Sequence, residues 1–399
     1  MPIKYKTIAL VFLSLSIIYA SAHTRADCNP TPFTDISGSP FICQIAQAYF
    51  SGLTNGTSAT TFSPSDPVTR EQVAAFVSRT LDQSLKRGSR RAVLDQWWTP
   101  QTDLDLGITV VGSAPELVKL DGQDLWVTNS GSDSVSRVRA SDGKLLETWI
   151  GASNPYGILV AAGRVWVTAS FSPGRLYVIN PQQQPGNVST VTSNLGDNTH
   201  GITFDGTFIW TANTGLIPGG SLSRVNPISM EVTTYSAGVN RPWGIICDGS
   251  SLWVTDNLPN GQGGLLHQVD FNGNVIRSIP VGESPWEPAF DGTNIWVPSG
   301  QSSVNGVVTV VRASNGTVLA TLRNNALVGP FQAAFDGERM MVTGSLSSNV
   351  ALWKADDLTP LGLVSTGNAS GPLGVCSDGL NFWITLSRDL LRSGKLARF

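Results

Sequence analysis

Three histidines, His23, His200 and His267, are the whole supply of imidazole in 399 residues. His200 stands in Thr199-His200-Gly201, and two acids, Asp256 and Glu287, each follow a tryptophan-containing segment. One imidazole and two carboxylates can hold a metal ion or move a proton. Tyr156, Trp243, Trp286 and Phe331 offer a different chemistry. Aromatic faces with a few polar groups, here Glu116 and Arg241, stack on sugars or grip peptides. There is no Gly-x-Ser-x-Gly elbow, His-Glu-x-x-His pair or phosphate loop, and no spacing for a zinc site. His267 reads as a half-buried strand residue with a structural role.

These residues are spread over most of the chain, so a repeating architecture has to bring them together. An Asp-Gly or equivalent turn, followed by an aliphatic-Trp-Val triplet, recurs seven times. Its large residues are Trp126, Trp166, Trp210, Trp253, Trp296, Met341 and Trp383, spaced 40 to 45 residues apart. Asp and Gly tolerate the backbone of a tight hairpin. In the fifth copy, 285–290, 294–297, 307–311 and 317–321 read as four strands. Four antiparallel strands repeated at this period predict a mainly β fold, a seven-bladed β-propeller over residues 104–399. The tryptophans are expected to plug the space between blades. The last repeat has room for three strands only, so residues 104–112 are expected to close it as the fourth and remove an exposed edge.

In such a ring, ligands sit at the mouth of the central channel. One position per repeat, at the start of each innermost strand, gives Glu116, Tyr156, His200, Trp243, Trp286, Phe331 and Leu373. The alternative is that these rings only plug the channel against one another.

The repeats resemble those of the YVTN-type and streptogramin-lyase-like propellers, which also run Pro-x-Gly, Asp-Gly, then aliphatic-Trp-Val. The streptogramin lyases use two histidines on successive blades, with acids that hold magnesium. His200 fits the first histidine, Trp243 stands at the second, Arg241 replaces one acid, and Asp256 could stand for the other. A lactonase-like calcium cage would draw on Glu116, Glu287, Asn198 and Asn240, crowded by Trp243 and Trp286. The reading adopted is a non-catalytic binding propeller without metal or cofactor. Its ligand site is Glu116, Tyr156, His200, Arg241, Trp243, Trp286 and Phe331. The enzyme alternative, a metal-dependent lyase or lactonase, works at His200, Asp256 and Glu287.

The N-terminal hundred residues differ. Lys4 and Lys6 precede an apolar run from Ile8 to Tyr19 and small residues around Ala20-Ser21-Ala22, so 1–26 reads as a secretory signal. Residues 27–85 form a small helical module. Ile42, Ile45 and Tyr49 fall at helical spacing, and a second helix starts at a Thr69/Gln72 capping box with a Val73, Phe76-Val77, Leu81 stripe. Phe33-Thr34-Asp35-Ile36, Gly52-Leu53-Thr54-Asn55-Gly56, Phe62-Ser63-Pro64 and Val68-Thr69-Arg70-Glu71-Gln72 together resemble an S-layer homology module. The resemblance implies that Thr69 and Arg70 bind cell-wall polysaccharide. Residues 86–103, opening with Lys86-Arg87-Gly88-Ser89-Arg90-Arg91, are a basic linker.

A net charge of −3 with 14% charged residues argues against nucleic-acid binding. No segment after the signal is apolar enough to span a membrane. The expected place is secreted or at the cell surface, and the expected partner a cell-wall polymer, surface glycan or protein. Cys28 and Cys43 flank a short loop of the exported module, where a disulfide is expected. Cys247 and Cys376 fall on nearly opposite blades, too far apart to bridge, and are expected to be separate buried thiols.

Overall fold

The computed structural model describes residues 32–42, 45, 48–49, 54, 56–77, 107–215, 219–236, 238–258, 263–300, 306–323, 327–367, 370–387 and 394–399. The signal segment, the Cys28–Cys43 pair and the linker lie outside the described residues. The chain divides into two compact units, Met1–Val93 and Leu94–Phe399.

The second unit is a seven-bladed β-propeller, mainly strand, with seven four-stranded antiparallel sheets. Blade 1 consists of Pro115–Leu120, Asp124–Asn129, Ser134–Arg139 and Leu145–Ile150. Blades 2, 3, 5 and 6 occupy 155–195, 199–235, 289–323 and 330–365. Blade 4 is built from Pro242–Cys247, Leu252–Asn257, Gly264–Val269 and Val275–Val281. Blade 7 takes Pro372–Ser377, Phe382–Leu386 and Gly394–Arg398 from the end of the chain. Its outer strand, Gly107–Val111, pairs antiparallel with Gly394–Arg398 from Gly107↔Arg398 to Val111↔Gly394. Both ends of the propeller segment thus share one sheet, as the repeat lengths imply.

The recurrent Trp side chains and Met341 are fully buried, and they pack between blades. Each Asp of the Asp-Gly turn also pins its Trp. The indole N–H of Trp126, Trp210, Trp253, Trp296 and Trp383 donates to Asp121, Asp205, Asp248, Asp291 and Asp378 at 2.7–2.8 Å. The other carboxylate oxygen accepts amides two and three residues on, as Asp248 does from Ser250 and Ser251. A buried indole N–H left unpaired would cost about 1–3 kcal/mol, so the aspartate stabilises turn and core together.

A second recurring contact joins neighbouring blades. Thr128, Thr168, Thr255, Thr343 and Thr385, late in their second strands, donate to the carbonyls of Tyr156, His200, Trp286, Leu373 and Glu116 in the next blade. The Thr385–Glu116 bond, 2.6 Å, ties blade 7 to blade 1. Blade 5 departs from the expected strand at 285–290. Only Ala289–Phe290 is regular, with an isolated Pro285↔Ser299 bridge before it. Pro288, without an amide hydrogen, cannot extend the pairing.

In the N-terminal unit, Phe33, Ile36, Ile42 and Ile45 are buried together, with Tyr49 and Phe62 packed against them. Asp35 accepts the amides of Phe62 and Ser63, joining the first segment of the module to the loop before its second helix. Residues 70–77 are helical. The capping box forms as read: Thr69 N–H donates to Gln72 Oε1 and the Gln72 amide to Thr69 Oγ1. The expected apolar stripe is not buried among the described residues, since Val73 and Val77 are exposed.

Candidate functional site

The innermost strands bring the mouth residues together through a repeated backbone device. In six blades the strand register breaks at the mouth position, as between Pro155 and Ile158 or Pro242 and Ile245. Such a bulge re-aims one side chain out of the ladder. The residue two before the mouth is left-handed at Ala114, Asn154, Asn198 and Ser284, with φ from 45° to 53°. Non-glycine residues there store about 1–2 kcal/mol of strain each, which the surrounding contacts must hold. In blade 4 the same loop is held differently, by Asp256. Its carboxylate accepts the amides of Asn240 (2.9 Å) and Arg241 (2.6 Å).

The result is a continuous chain of rings. Tyr156 meets His200 edge-on at 4.8 Å, and His200 stacks on Trp243 at 3.8 Å. Trp243 meets Trp286 edge-on at 4.6 Å, and Trp286 lies against Phe331 at 5.3 Å. Trp243 Nε1 donates to the Tyr156 hydroxyl two blades away at 2.9 Å, and Trp286 Nε1 to the Gly300 carbonyl. His200 and Phe331 are buried, whereas Tyr156, Trp243 and Trp286 keep part of their surface open. Leu373 packs beside them.

Electrostatics separate the polar members. Burial holds the His200 imidazole down to about 4, against a weaker lift from the Asn198 backbone. Thr214 gives its hydroxyl hydrogen to the Pro242 carbonyl, so His200 Nδ1 donates to Thr214 Oγ1 at 2.9 Å, and Nε2 keeps its lone pair near Ser170. Burial raises Glu116, and a bond from Ser130 (2.7 Å) partly offsets it. Burial, with Glu287 and Glu116 nearby, pushes the Tyr156 phenol well above its ordinary range. Glu287 is pushed up to about 7 by burial, against the pull of the Lys119 ammonium. Its Oε1 has no hydrogen-bond partner.

Asp256 is drawn into another assembly. Besides the two amides it binds His267 Nε2 at 3.1 Å, and Asn240 Nδ2 lies 3.3 Å away. Burial would raise its carboxyl, but these bonds outweigh that and leave it below the ordinary range. The structure thus brings Glu116, Tyr156, His200, Trp243, Trp286 and Phe331 to one place and occupies Asp256 elsewhere. Arg241 is half-buried, its Nε without a partner. Among the described residues, no group of three or more His, Cys, Asp or Glu side chains is arranged to hold a metal ion. Cys376 is buried and Cys247 half-buried, and both are free thiols. Sequence reasoning missed Lys119, the Asp–Trp pins and the bonding of His267.

Comparison with known proteins separates the two units. The family model for the S-layer homology domain matches residues 32–74. The chain carries an S-layer homology domain. Its presence implies association with the cell surface. A search of curated proteins gives no match. Among solved structures, the chain is similar to Kuenenia stuttgartiensis hydrazine synthase at 18% identity, over 74% of this chain and 97% of that one, with a TM-score of 0.62. It is similar to a streptogramin B lyase at 14% identity (73% and 95% covered, TM-score 0.56). The WD40 propeller domain of Doa1 aligns at 11% identity, with the same coverage and TM-score. Identities this low carry the propeller fold and no activity. No helix among the described residues is long and apolar enough to cross a membrane.

Proposed function

We propose that this is an exported binding propeller, held at the cell wall by its S-layer homology domain, whose channel mouth recognises a glycan or protein. The observation that carries the reading is the chain of rings from Tyr156 to Phe331. Its indole donors are satisfied within the protein, yet three of its faces remain partly open. Such faces bind by stacking and desolvation without chemistry at the contact. The domain matched at 32–74 supports the location and makes a wall polymer or surface glycan the first partner to try. Glycan-array or pull-down binding by the full chain is expected to fall at least ~10-fold in Trp243→Ala and again in Trp286→Ala, since each removes a hot-spot-sized aromatic surface. Unchanged binding in both variants refutes the mouth as the site.

The lyase or lactonase alternative needs His200, Asp256 and Glu287 to act on one bound group. Asp256 already accepts two backbone amides and His267, and His200 stacks on Trp243 with Nδ1 committed to Thr214. Metal-dependent turnover lost in His200→Ala would restore it.

A further inference from the structure

Blade 4 contains a hydrogen-bonded series of three side chains, of which only Asp256 enters the readings of the mouth. Asp256, His267 and Ser278 lie on its second, third and fourth strands. His267 sits opposite both Val254 and Ser278, while Asp256 is diagonal to it. Asp256 Oδ2 is 3.1 Å from His267 Nε2, and His267 Nδ1 is 2.8 Å from Ser278 Oγ. Asp256 and His267 are buried, and Ser278 is exposed.

The proton positions follow from the partners. A carboxylate with its acidity strengthened by two backbone amides can only accept, so His267 Nε2 carries the hydrogen. In the neutral ring the lone pair is then on Nδ1, facing the Ser278 hydroxyl. A base with a fixed tautomer, oriented by a carboxylate and bonded to a hydroxyl, is the arrangement that activates a serine.

The other blades serve as internal controls. At the same register, blade 1 places Asn129 on Ser136 (3.1 Å). Blade 3 places Asn213 on Ser223 (2.9 Å), with Thr234 beyond it at 3.0 Å. Neutral amides and hydroxyls therefore suffice to fill this position. Blade 4 alone of these three has an acid in place of the amide and an imidazole in place of the middle hydroxyl.

We propose that Ser278 is a nucleophile, with His267 as its general base and Asp256 as the positioning carboxylate, acting on a carboxylic ester carried by a large or polymeric substrate. Ser278 Oγ bonds to the ester carbonyl carbon while its proton passes to His267 Nδ1. The alcohol then leaves with that proton as its bond to the carbonyl carbon breaks. Water, deprotonated by His267, releases the acid and restores the serine. Ser278 lies on an open outer strand, so the ester must protrude from its carrier. A groove of about 470 Å³ begins two residues along the strand at Pro280 and is lined by Glu283, Thr321 and Arg323, giving the rest of such a substrate a place to lie.

The test is labelling of the full chain with a fluorophosphonate probe, mapped by peptide mass spectrometry, beside the acyl-enzyme burst with p-nitrophenyl acetate. Both are expected at Ser278 and absent in Ser278→Ala, an exposed and fold-neutral change. His267→Gln, with its melting temperature checked, is expected to slow labelling by ~100-fold or more. Thr234→Ala, in the neutral relay of blade 3, is expected to leave the rate unchanged. A wild-type chain that labels no faster than Ser278→Ala overturns the proposal, whatever the histidine variant does.

Discussion

Glu287 occupies a place where four other blades keep glycine: Gly157, Gly201, Gly244 and Gly374. At Gly157, Gly201 and Gly374 an added Cβ would collide with the mouth carbonyl of the next blade. Blade 5 escapes the clash because its strand runs differently there. The Glu287 amide donates to the Phe331 carbonyl, in a parallel bridge with Gln332. The side chain is left buried, drawn on by the Lys119 ammonium and itself acting on the Tyr156 phenol. Its folded value of about 7 lies above the ordinary 4.5, so the folded chain holds the proton more tightly than the unfolded one. Stability from this group is full below about pH 4 and is lost as pH rises through about 7, a swing on the order of 3 kcal/mol. Glu287→Gln is therefore expected to raise stability at pH 8 far more than at pH 5 in urea titrations. Parallel pH profiles for the two proteins would contradict this. The Asp–Trp pins, by contrast, were open to reading. The pairs 121/126, 205/210, 248/253, 291/296 and 378/383 keep a five-residue spacing. The exceptions explain themselves: Ala161 stands in the aspartate's place and Trp166 donates to its backbone carbonyl, while Met341 has no donor and Asp336 turns to Arg339. The Asp256–His267–Ser278 series was not legible, because two steps of eleven residues mean nothing until the hairpin registers are known.

At the scale of elements, the blade count and the closure were legible because turn signals at a 40–45-residue interval leave little freedom in a ring. The closing strand carries a specific risk. Gly394–Arg398 pairs with Phe382–Leu386 on one side and Gly107–Val111 on the other. Leu396 is fully buried with Trp383, Val111 and Leu125. Removing residues 394–399 leaves Gly107–Val111 with no ladder partner and opens the blade 7 core to water. Single cooperative unfolding is expected to disappear, replaced by a broad transition in urea with a lower m-value per residue. A truncated chain that melts as sharply as the full one refutes closure as the source of cooperativity. The irregular inner strand of blade 5 was less legible: Pro285 and Pro288 mark it, but whether a proline ends a strand depends on which side its missing amide faces.

At the scale of the molecule, a small helical domain and a β ring divide the work by chemistry. The ring bears the aromatic mouth, and the S-layer homology domain bears the address. Within that domain, Thr69 Oγ1 accepts the Gln72 amide and keeps its hydroxyl hydrogen to donate, while Arg70 is exposed at the start of the helix. We propose the guanidinium as the charged contact for an anionic wall polymer, since its fork matches carboxylate or phosphate oxygens. The full chain is expected to sediment with purified cell walls at low salt, and Arg70→Ala to lower the bound fraction at least ~3-fold. A contact of this kind weakens with ionic strength, because exposed charges are screened beyond about 8 Å at physiological salt. Binding that survives Arg70→Ala but vanishes at high salt would transfer the role to the basic segment Lys86-Arg87-Gly88-Ser89-Arg90-Arg91. Sedimentation no greater than that of an unrelated acidic protein would remove wall anchoring altogether and leave the ring to find its ligand unaided.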